Sequence, residues 1–129
     1  MIFKNKKVLL CRRKSSHGEG EYAFPGGHLE YMESFEDCAR RETKEECGIE
    51  IKNIAFSSVA NVKKYAPKHY VNIELTAEWA AGEPKITEPE KWEGEWEWYD
   101  IDKLPQPIFE FSQCAIDTLK SGKNYYDNL

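Results

Sequence analysis

Three glutamates that lie close together in the sequence, Glu42, Glu45 and Glu46, are the residues best suited to chemistry in this chain. On one turn of a helix their carboxylates would repel one another unless a positive charge lay among them. A hard divalent cation meets this need, because Mg²⁺ prefers carboxylate oxygens as ligands. The cluster therefore favours a metal site, although neighbouring arginines and lysines would allow the alternative of a solvated helix face.

The element that must position these glutamates is a predicted helix from Phe35 to Cys47. Ser34 is a suitable N-cap that Asp37 can complete as a capping box, and Gly48 suits a left-handed helix end. At about 100° per residue, the apolar stripe of this helix continues into carboxylates. The pattern thus predicts that part of the acidic cluster faces inward.

A turn with two adjacent glycines, Gly26 and Gly27, precedes the helix. Glycine lets the backbone approach a ligand closely and leaves carbonyl oxygens free to bind a cation. A further carboxylate, Glu33, lies just before the N-cap. The turn and the helix together indicate a site built around a cation.

The spacing of these residues resembles the Nudix box of the Nudix hydrolases. From Gly27 it reads as a glycine, five residues, Glu33, seven residues, Arg41-Glu42-Thr43, one residue, Glu45-Glu46, one residue and Gly48-Ile49. Every polar and glycine position of this 23-residue pattern is filled, and only Thr43 replaces the usual aliphatic residue. So long a pattern is far more specific than a short glycine motif.

The resemblance implies an enzyme that hydrolyses a diphosphate bond with Mg²⁺, or with Mn²⁺ as an alternative ion. The oxygens of a diphosphate repel an attacking water, so the reaction needs cations, a base and groups that hold the geometry. Arg41 would orient Glu42, and Glu33 would support the helix end. The three box glutamates would share metal binding and base function in a distribution that the sequence leaves open. The implied catalytic residues are Glu33, Arg41, Glu42 and Glu45, and the implied metal ligands are Glu42, Glu45, Glu46, Gly26 through its carbonyl, and Glu93.

Shorter matches outside the box resemble the MutT-type branch, whose members hydrolyse nucleoside triphosphates, including oxidised purine nucleotides. They are PGGHLE, the HYV of His69 to Val71, EPEKWEGEWEWYD and LPQPIF. The expected products are a nucleoside monophosphate and pyrophosphate. One alternative is a hydrolase of ADP-ribose, another nucleotide sugar or a dinucleoside polyphosphate. A further alternative is a Nudix-fold nucleotide-binding module without catalysis.

Substrate binding requires an aromatic or apolar slot for the base and cations for the phosphates. Phe24, Tyr65 and Phe109 are candidates for stacking, although ordinary packing would equally explain aromatic residues at these positions. Gly27 and His28 lie beside the metal turn, and Arg12 precedes a polar loop where it could meet phosphates.

Composition restricts the class of protein. The chain has 129 residues and a net charge of −5, which fits one domain with a small-molecule partner and argues against a general nucleic-acid-binding surface. Its four cysteines lack the spacing of a metal site, and no apolar run reaches transmembrane length. We therefore expect a cytoplasmic protein with reduced thiols that does not bind membranes.

The predicted architecture is α+β, a Nudix fold whose mixed sheet lies between helices in a single domain, residues 1–129. A short first strand, which looks truncated beside those of family members, would leave an edge open for pairing; this edge and the resemblance are compatible with a homodimer, and the sequence leaves the oligomeric state open. The tail 123–129 is interpreted as a surface extension. The predicted strands are 1–3, 7–13, 54–62, 71–79 and 96–99, a long loop covers 81–95, and a second helix runs from Phe109 or Phe111 to Leu119.

Overall fold

Alternating apolar residues and two capped segments fold into one mixed sheet with two helices. The computed structural model describes residues 1–129. Its strands are β1 (Ile2–Lys4), β2 (Lys7–Arg13), β3 (Tyr22–Ala23), β4 (Glu50–Val62), β5 (Tyr70–Ala81), β6 (Trp92–Asp100) and β7 (Tyr125–Tyr126), and its helices are α1 (Phe35–Cys47) and α2 (Glu110–Ser121).

The seven strands form a single sheet with the order β3-β2-β1-β5-β4-β7, and β6 also pairs with β2. β1 runs parallel to β5 and β7 runs parallel to β4, whereas the other pairs are antiparallel. The predicted α+β class with a mixed sheet is confirmed. β1 lies inside the sheet between β2 and β5, so it does not form the open edge that its length suggested.

Strand β2 is apolar on both faces because each face is covered. Leu9 and Cys11 belong to the core cluster that includes Cys47 and Ile49 at the end of α1. Val8 and Leu10 point the other way and belong to the cluster that includes residues of α2. All four strand residues are fully buried. This strand therefore connects the two apolar layers of the domain.

Helix α1 has the bounds and caps that the sequence predicts. The Ser34 hydroxyl accepts a hydrogen bond from the backbone N–H of Asp37 at 3.0 Å. At the other end Gly48 adopts a left-handed conformation with φ 73°, and its N–H donates to the carbonyl of Lys44. Both helix ends are therefore fixed by local hydrogen bonds, which sets the rotation of the acidic side chains.

Several segments differ from the expectation: β4 begins at Glu50 rather than at residue 54, and β3 was not predicted. Strand β6 already begins at Trp92, because Trp92 and Trp96 bury their indoles on the same face of the strand. The tail is not a free surface extension, since Tyr125 and Tyr126 pair with Val59 and Ala60 of β4. The predicted long loop is therefore shorter, and the tail forms an edge of the sheet.

The four cysteines are free, as expected. Cys47 is buried as a small core residue, whereas Cys38 is only half-buried. Cys38 lies next to Arg41, whose guanidinium donates to its sulfur at 3.8 Å. Neither helix is both long and apolar enough to cross a membrane.

Truncation of Leu9 tests the central role of β2. Leu9→Ala removes a fully buried side chain between the sheet and α1, and we expect it to lower the free energy of unfolding by about 2–5 kcal/mol. Urea denaturation measures this change. The matched control is Leu119→Ala on α2, where the side chain is half exposed. Equal losses in both variants would contradict the assignment of Leu9 to the core.

Candidate active site

The inward face of α1 carries two of the three clustered glutamates. Glu42 and Glu46 are 9% and 2% exposed, respectively. Glu45 lies on the outer side of the helix, where 53% of its side chain is exposed. Thr43 is buried at the position where the box usually carries an aliphatic residue. The helix therefore directs two carboxylates toward the protein and one toward solvent.

The glycine turn packs directly against these two carboxylates. A Cβ atom on Gly27 would lie 2.1 Å from the carboxyl group of Glu42, so no residue other than glycine fits there without displacing that group. The backbone N–H of Gly26 donates to Oε1 of Glu46 at 2.8 Å. The close approach to Glu42 explains the glycine at position 27, whereas a Cβ atom on Gly26 would meet open space, and Gly26 contributes its backbone N–H group.

Glu46 is held by two tryptophans of β6. The indole N–H of Trp92 donates to Oε2 of Glu46 at 2.7 Å, and that of Trp96 donates to its backbone carbonyl at 3.0 Å. Burial raises the pKa of Glu46 to about 7, against the opposing effect of the N–H donors from Gly26 and Trp92. This carboxyl group can therefore exchange a proton near neutral pH.

Arg41 provides the positive charge among the acids. Its guanidinium binds both oxygens of Glu33, with Nε–Oε2 at 2.7 Å and Nη2–Oε1 at 3.0 Å. Its Nη1 contacts Glu42 at 2.6 Å and Glu45 at 3.2 Å. The hydrogen bonds from Arg41 lower the pKa of Glu33 to about 2. One arginine therefore keeps the helix carboxylates and Glu33 in fixed positions.

The carbonyl of His28 is also part of this network, because it accepts from Nη2 of Arg41 at 3.0 Å. His28 directly follows the glycine turn, so the contact ties the turn to α1. The turn, Glu33 and the helix are consequently linked through one side chain.

The donor set agrees with a hard divalent cation, because Glu42, Glu45 and Glu46 offer carboxylate oxygens. In the conformation described, these groups bind Arg41, Gly26 and Trp92, and no group of three or more His, Cys, Asp or Glu side chains converges on one point. Gly26 contacts Glu46 through its backbone N–H group. Its carbonyl oxygen, which is the predicted metal ligand, makes no contact with these glutamates. The carboxylate oxygens of the site are suitable ligands for a cation. To bind it, the carboxylates would release their hydrogen bonds to Arg41, Gly26 and Trp92.

A fourth acid lies near Glu46, and it is Glu88 rather than the predicted Glu93. Glu93 is the register partner of Arg12 in the β2–β6 pair, where the two side chains form an ion pair at 3.4 Å. Side chains alternate along a strand, so the inward position of Trp92 turns Glu93 outward. Glu88 contributes to the raised pKa of Glu46, and its Oε1 is buried without a partner.

A cavity of about 900 Å³ adjoins the glutamates. Arg12 is not among its lining residues because it pairs with Glu93 on the opposite side. The predicted substrate-binding residues that line this cavity are Phe24, Gly27, His28, Tyr65 and Phe109, together with Glu42 and Glu46.

Arg13, rather than its neighbour Arg12, lines the cavity, together with Lys68 and Lys91. Its guanidinium carbon lies 4.2 Å from the centre of the Phe109 ring. It also donates to the carbonyl of His17 and to the hydroxyl of Ser15, both at 2.8 Å. Since neighbouring residues on a strand face opposite ways, the pair Arg12-Arg13 indicated one inward cation without identifying it.

Tyr65 connects the loop after β4 to the start of α2. Its hydroxyl donates to Glu110 at 2.6 Å, and Lys64 binds the same carboxylate at 2.9 Å. Its ring lies 4.1 Å from that of His17 and 6.2 Å from that of Phe111, measured between ring centres. An aromatic wall is therefore held in place by one hydrogen bond and one ion pair to Glu110.

Comparison with known proteins gives a consistent family. A family model described as NUDIX domain matches residues 1–119. The chain is 31% identical over 121 residues to an "ADP-ribose pyrophosphatase" of Methanocaldococcus jannaschii, covering 93% of this chain and 70% of that protein. It is 32% identical over 105 residues to an "NAD-capped RNA hydrolase NudC" of Chromobacterium violaceum, covering 81% of this chain but only 38% of the relative.

Solved structures agree with the sequence relatives. A crystal structure of a MutT NUDIX hydrolase from Burkholderia pseudomallei superposes with a TM-score of 0.83 at 29% identity and covers 90% of both chains. The match covers nine tenths of this chain and therefore supports the family that the sequence relatives indicate.

The raised pKa of Glu46 predicts how the stability of the metal-free protein depends on pH. Because the folded pKa of about 7 lies above the ordinary value of 4.5, the folded state binds this proton more tightly than the unfolded state. The resulting stabilisation is complete below the ordinary value and is lost as pH rises to about 7. Urea denaturation in the presence of a chelator should therefore show that the contribution of Glu46 to the free energy of unfolding falls between pH 4.5 and about 7. The variant Glu46→Gln should abolish this contribution.

The comparison isolates Glu46 because all other titrating groups are shared by the variant and the parent. Glu36→Gln, an exposed change in the first turn of α1, serves as the control and should keep the parental slope. Parallel pH profiles for Glu46→Gln and the parent would refute the shifted pKa.

Proposed function

Since the chain belongs to the Nudix hydrolase family, we propose that it is a Mg²⁺-dependent enzyme that hydrolyses a nucleoside triphosphate to a monophosphate and pyrophosphate. At the coarser level it is a Nudix pyrophosphohydrolase acting on nucleoside diphosphate derivatives. The observation that carries the proposal is the packing of Glu42 and Glu46 against the Gly26-Gly27 turn on the wall of the cavity.

The proposed metal ligands are Glu42, Glu45 and Glu46, with the carbonyl of Gly26. Carboxylates on one helix suit Mg²⁺, because this ion takes few of its oxygen ligands from the protein and keeps several bound waters. When bound, the cation would neutralise phosphate charge and lower the pKa of a coordinated water. Glu88, with its unpartnered buried oxygen beside Glu46, is a better candidate for an additional acid than Glu93.

The chain's own residues supply orientation and proton transfer. Arg41 fixes Glu42 through a 2.6 Å contact and is itself held by both oxygens of Glu33. We assign these two residues to positioning. A glutamate with a pKa near 7 can accept a proton from water at neutral pH, which makes Glu46 a suitable base. The division of roles among Glu42, Glu45 and Glu46 stays open.

Arg13 is the proposed cation for the anionic part of the substrate within the cavity. It lies over Phe109 and is the inward member of the arginine pair on β2. Phe24, Tyr65 and Phe109 line the same space and would provide apolar surface for the base. Gly27 and His28 form the boundary between this surface and the glutamates.

The alternative substrate class is a nucleoside diphosphate linked to another group. Its support is the relative named as an ADP-ribose pyrophosphatase, which matches 93% of this chain. The relatives named as NAD-capped RNA hydrolases extend well beyond the aligned region, since the chain spans 38% of the one described above. The complete set of box glutamates argues against a binding module without catalysis.

Product analysis separates these proposals. The protein is incubated with Mg²⁺ and a panel of nucleoside triphosphates, oxidised nucleotides, ADP-ribose and dinucleoside polyphosphates, and every product is identified. We expect a monophosphate and pyrophosphate from a triphosphate. If ADP-ribose is the only member hydrolysed, and it yields two phosphate-containing products and no pyrophosphate, the result would instead support the alternative. No turnover of any member would refute catalysis.

Substitution of the box glutamates tests the site itself. Glu45→Gln and Glu46→Gln should each leave the fold intact and reduce turnover by at least about a hundredfold, a magnitude typical of losing a general base. Glu36→Gln on the same helix is the matched control and should retain parental turnover, because its side chain is exposed and lies in the first turn of the helix, before the box glutamates. Parental rates for both box variants would disprove the assignment.

A further inference from the structure

One face of β5 brings polar side chains into the cavity. Residues two apart on a strand point the same way, so Tyr70, Asn72 and Glu74 share a face. All three line the cavity, as do the apolar residues Val71, Ile73 and Leu75 between and beside them. The amide of Asn72 donates to Oε1 of Glu74 at 2.9 Å. A carboxylate and a carboxamide therefore lie side by side on the cavity wall.

Glu74 is not explained by packing alone. Burial raises its pKa, and the amide of Asn72 provides its one hydrogen bond to the protein. The amino group of Met1 lies on the same side and favours the ionised carboxylate. The second oxygen, Oε2, accepts no hydrogen bond from the chain. A withdrawn carboxylate with an available acceptor is suited to a ligand that offers N–H donors.

The pair lies further along β5 than Tyr70, whose ring neighbours the residue that follows the glycine turn. Gly27 touches Glu42, and the ring of the next residue, His28, is stacked 6.3 Å from that of Tyr70. Glu74 lies four residues beyond Tyr70, roughly 13 Å further along the strand at about 3.3 Å per residue. Phosphates near Glu42 would therefore leave room for a sugar before the base reaches Asn72 and Glu74.

We propose that Asn72 and Glu74 bind the polar edge of a guanine base and thereby select guanine nucleotides, an inference that rests on the proposed function. Guanine presents two adjacent donors, N1–H and the 2-amino group, beside the acceptor O6. The two oxygens of a carboxylate can accept from both donors, and the amide of Asn72 can donate to O6.

Other purines fit this edge less well. Adenine places a lone pair at N1, where guanine has a donor, so it would face the carboxylate of Glu74 with an acceptor. Hypoxanthine keeps N1–H and O6 but lacks the 2-amino group. A site built to hydrogen-bond a group discriminates strongly against analogues without it, because its own polar atoms then stay unpaired. The expected order of affinity is guanine, then hypoxanthine, then adenine.

Binding of monophosphates tests this order without requiring hydrolysis. Isothermal titration calorimetry of the full chain with GMP, IMP and AMP in the presence of Mg²⁺ should give a Kd for GMP at least about tenfold below those of IMP and AMP, as expected for one unpaired polar group. Dissociation constants that agree within about threefold, or tighter binding of AMP, would overturn the proposal.

The variant Glu74→Gln keeps the shape of the side chain but replaces one acceptor by a donor. It should weaken GMP binding by about tenfold or more and change AMP binding by less than about threefold. Glu78→Gln, an exposed change further along β5, is the control and should leave both affinities unchanged. Equal weakening of GMP and AMP, or no change for GMP, would contradict the role of Glu74.

The outcomes distinguish this inference from the proposed function. A guanine preference in binding without turnover of any triphosphate would reject the proposed hydrolysis and retain base recognition by β5. Triphosphate turnover with equal binding of the three monophosphates would reject base recognition and retain the hydrolase. Because the wild-type comparison needs no substitution, a folding defect in Glu74→Gln would not prevent the test.

Discussion

The burial of one carboxyl group, that of Glu46, is the constraint on which the site depends. A carboxylate withdrawn from water is costly unless donors or a cation compensate for the lost hydration. The N–H groups of Gly26 and Trp92 meet part of this need, and they come from the turn before α1 and from β6. Three separate elements must therefore assemble correctly before this side chain can be accommodated, so the site and the fold share the same requirement.

Arg41 solves the complementary problem of repulsion among neighbouring acids. It contacts Glu33, Glu42 and Glu45 at distances of 3.2 Å or less and also binds the carbonyl of His28. A cation entering the site would compete with the guanidinium for Glu42 and Glu45. The positive charge of Arg41 thus offsets the repulsion among these carboxylates.

The sequence predicted the local features well, because caps, turns and periodicity act over a few residues. Helix α1 and its caps follow directly from Ser34 and Gly48. The misplaced residues were Glu93 and Arg12, whose orientation depends on where a strand begins and on which neighbour faces inward. The orientation of these side chains depends on contacts between distant parts of the chain, here the packing of Trp92 against Glu46. The roles of Glu88 and Glu74 depend on contacts between distant segments, which a single sequence does not display.

The contact of two indoles with one glutamate has a spectroscopic consequence. The chain contains four tryptophans, and two of them, Trp92 and Trp96, donate to the side chain and the backbone of Glu46, with their rings 4.4 Å apart. Indole emission responds to nearby charge, so half of the protein's tryptophans lie where protonation or ion binding changes the local field. The native protein therefore contains its own optical probe of the site, without any label.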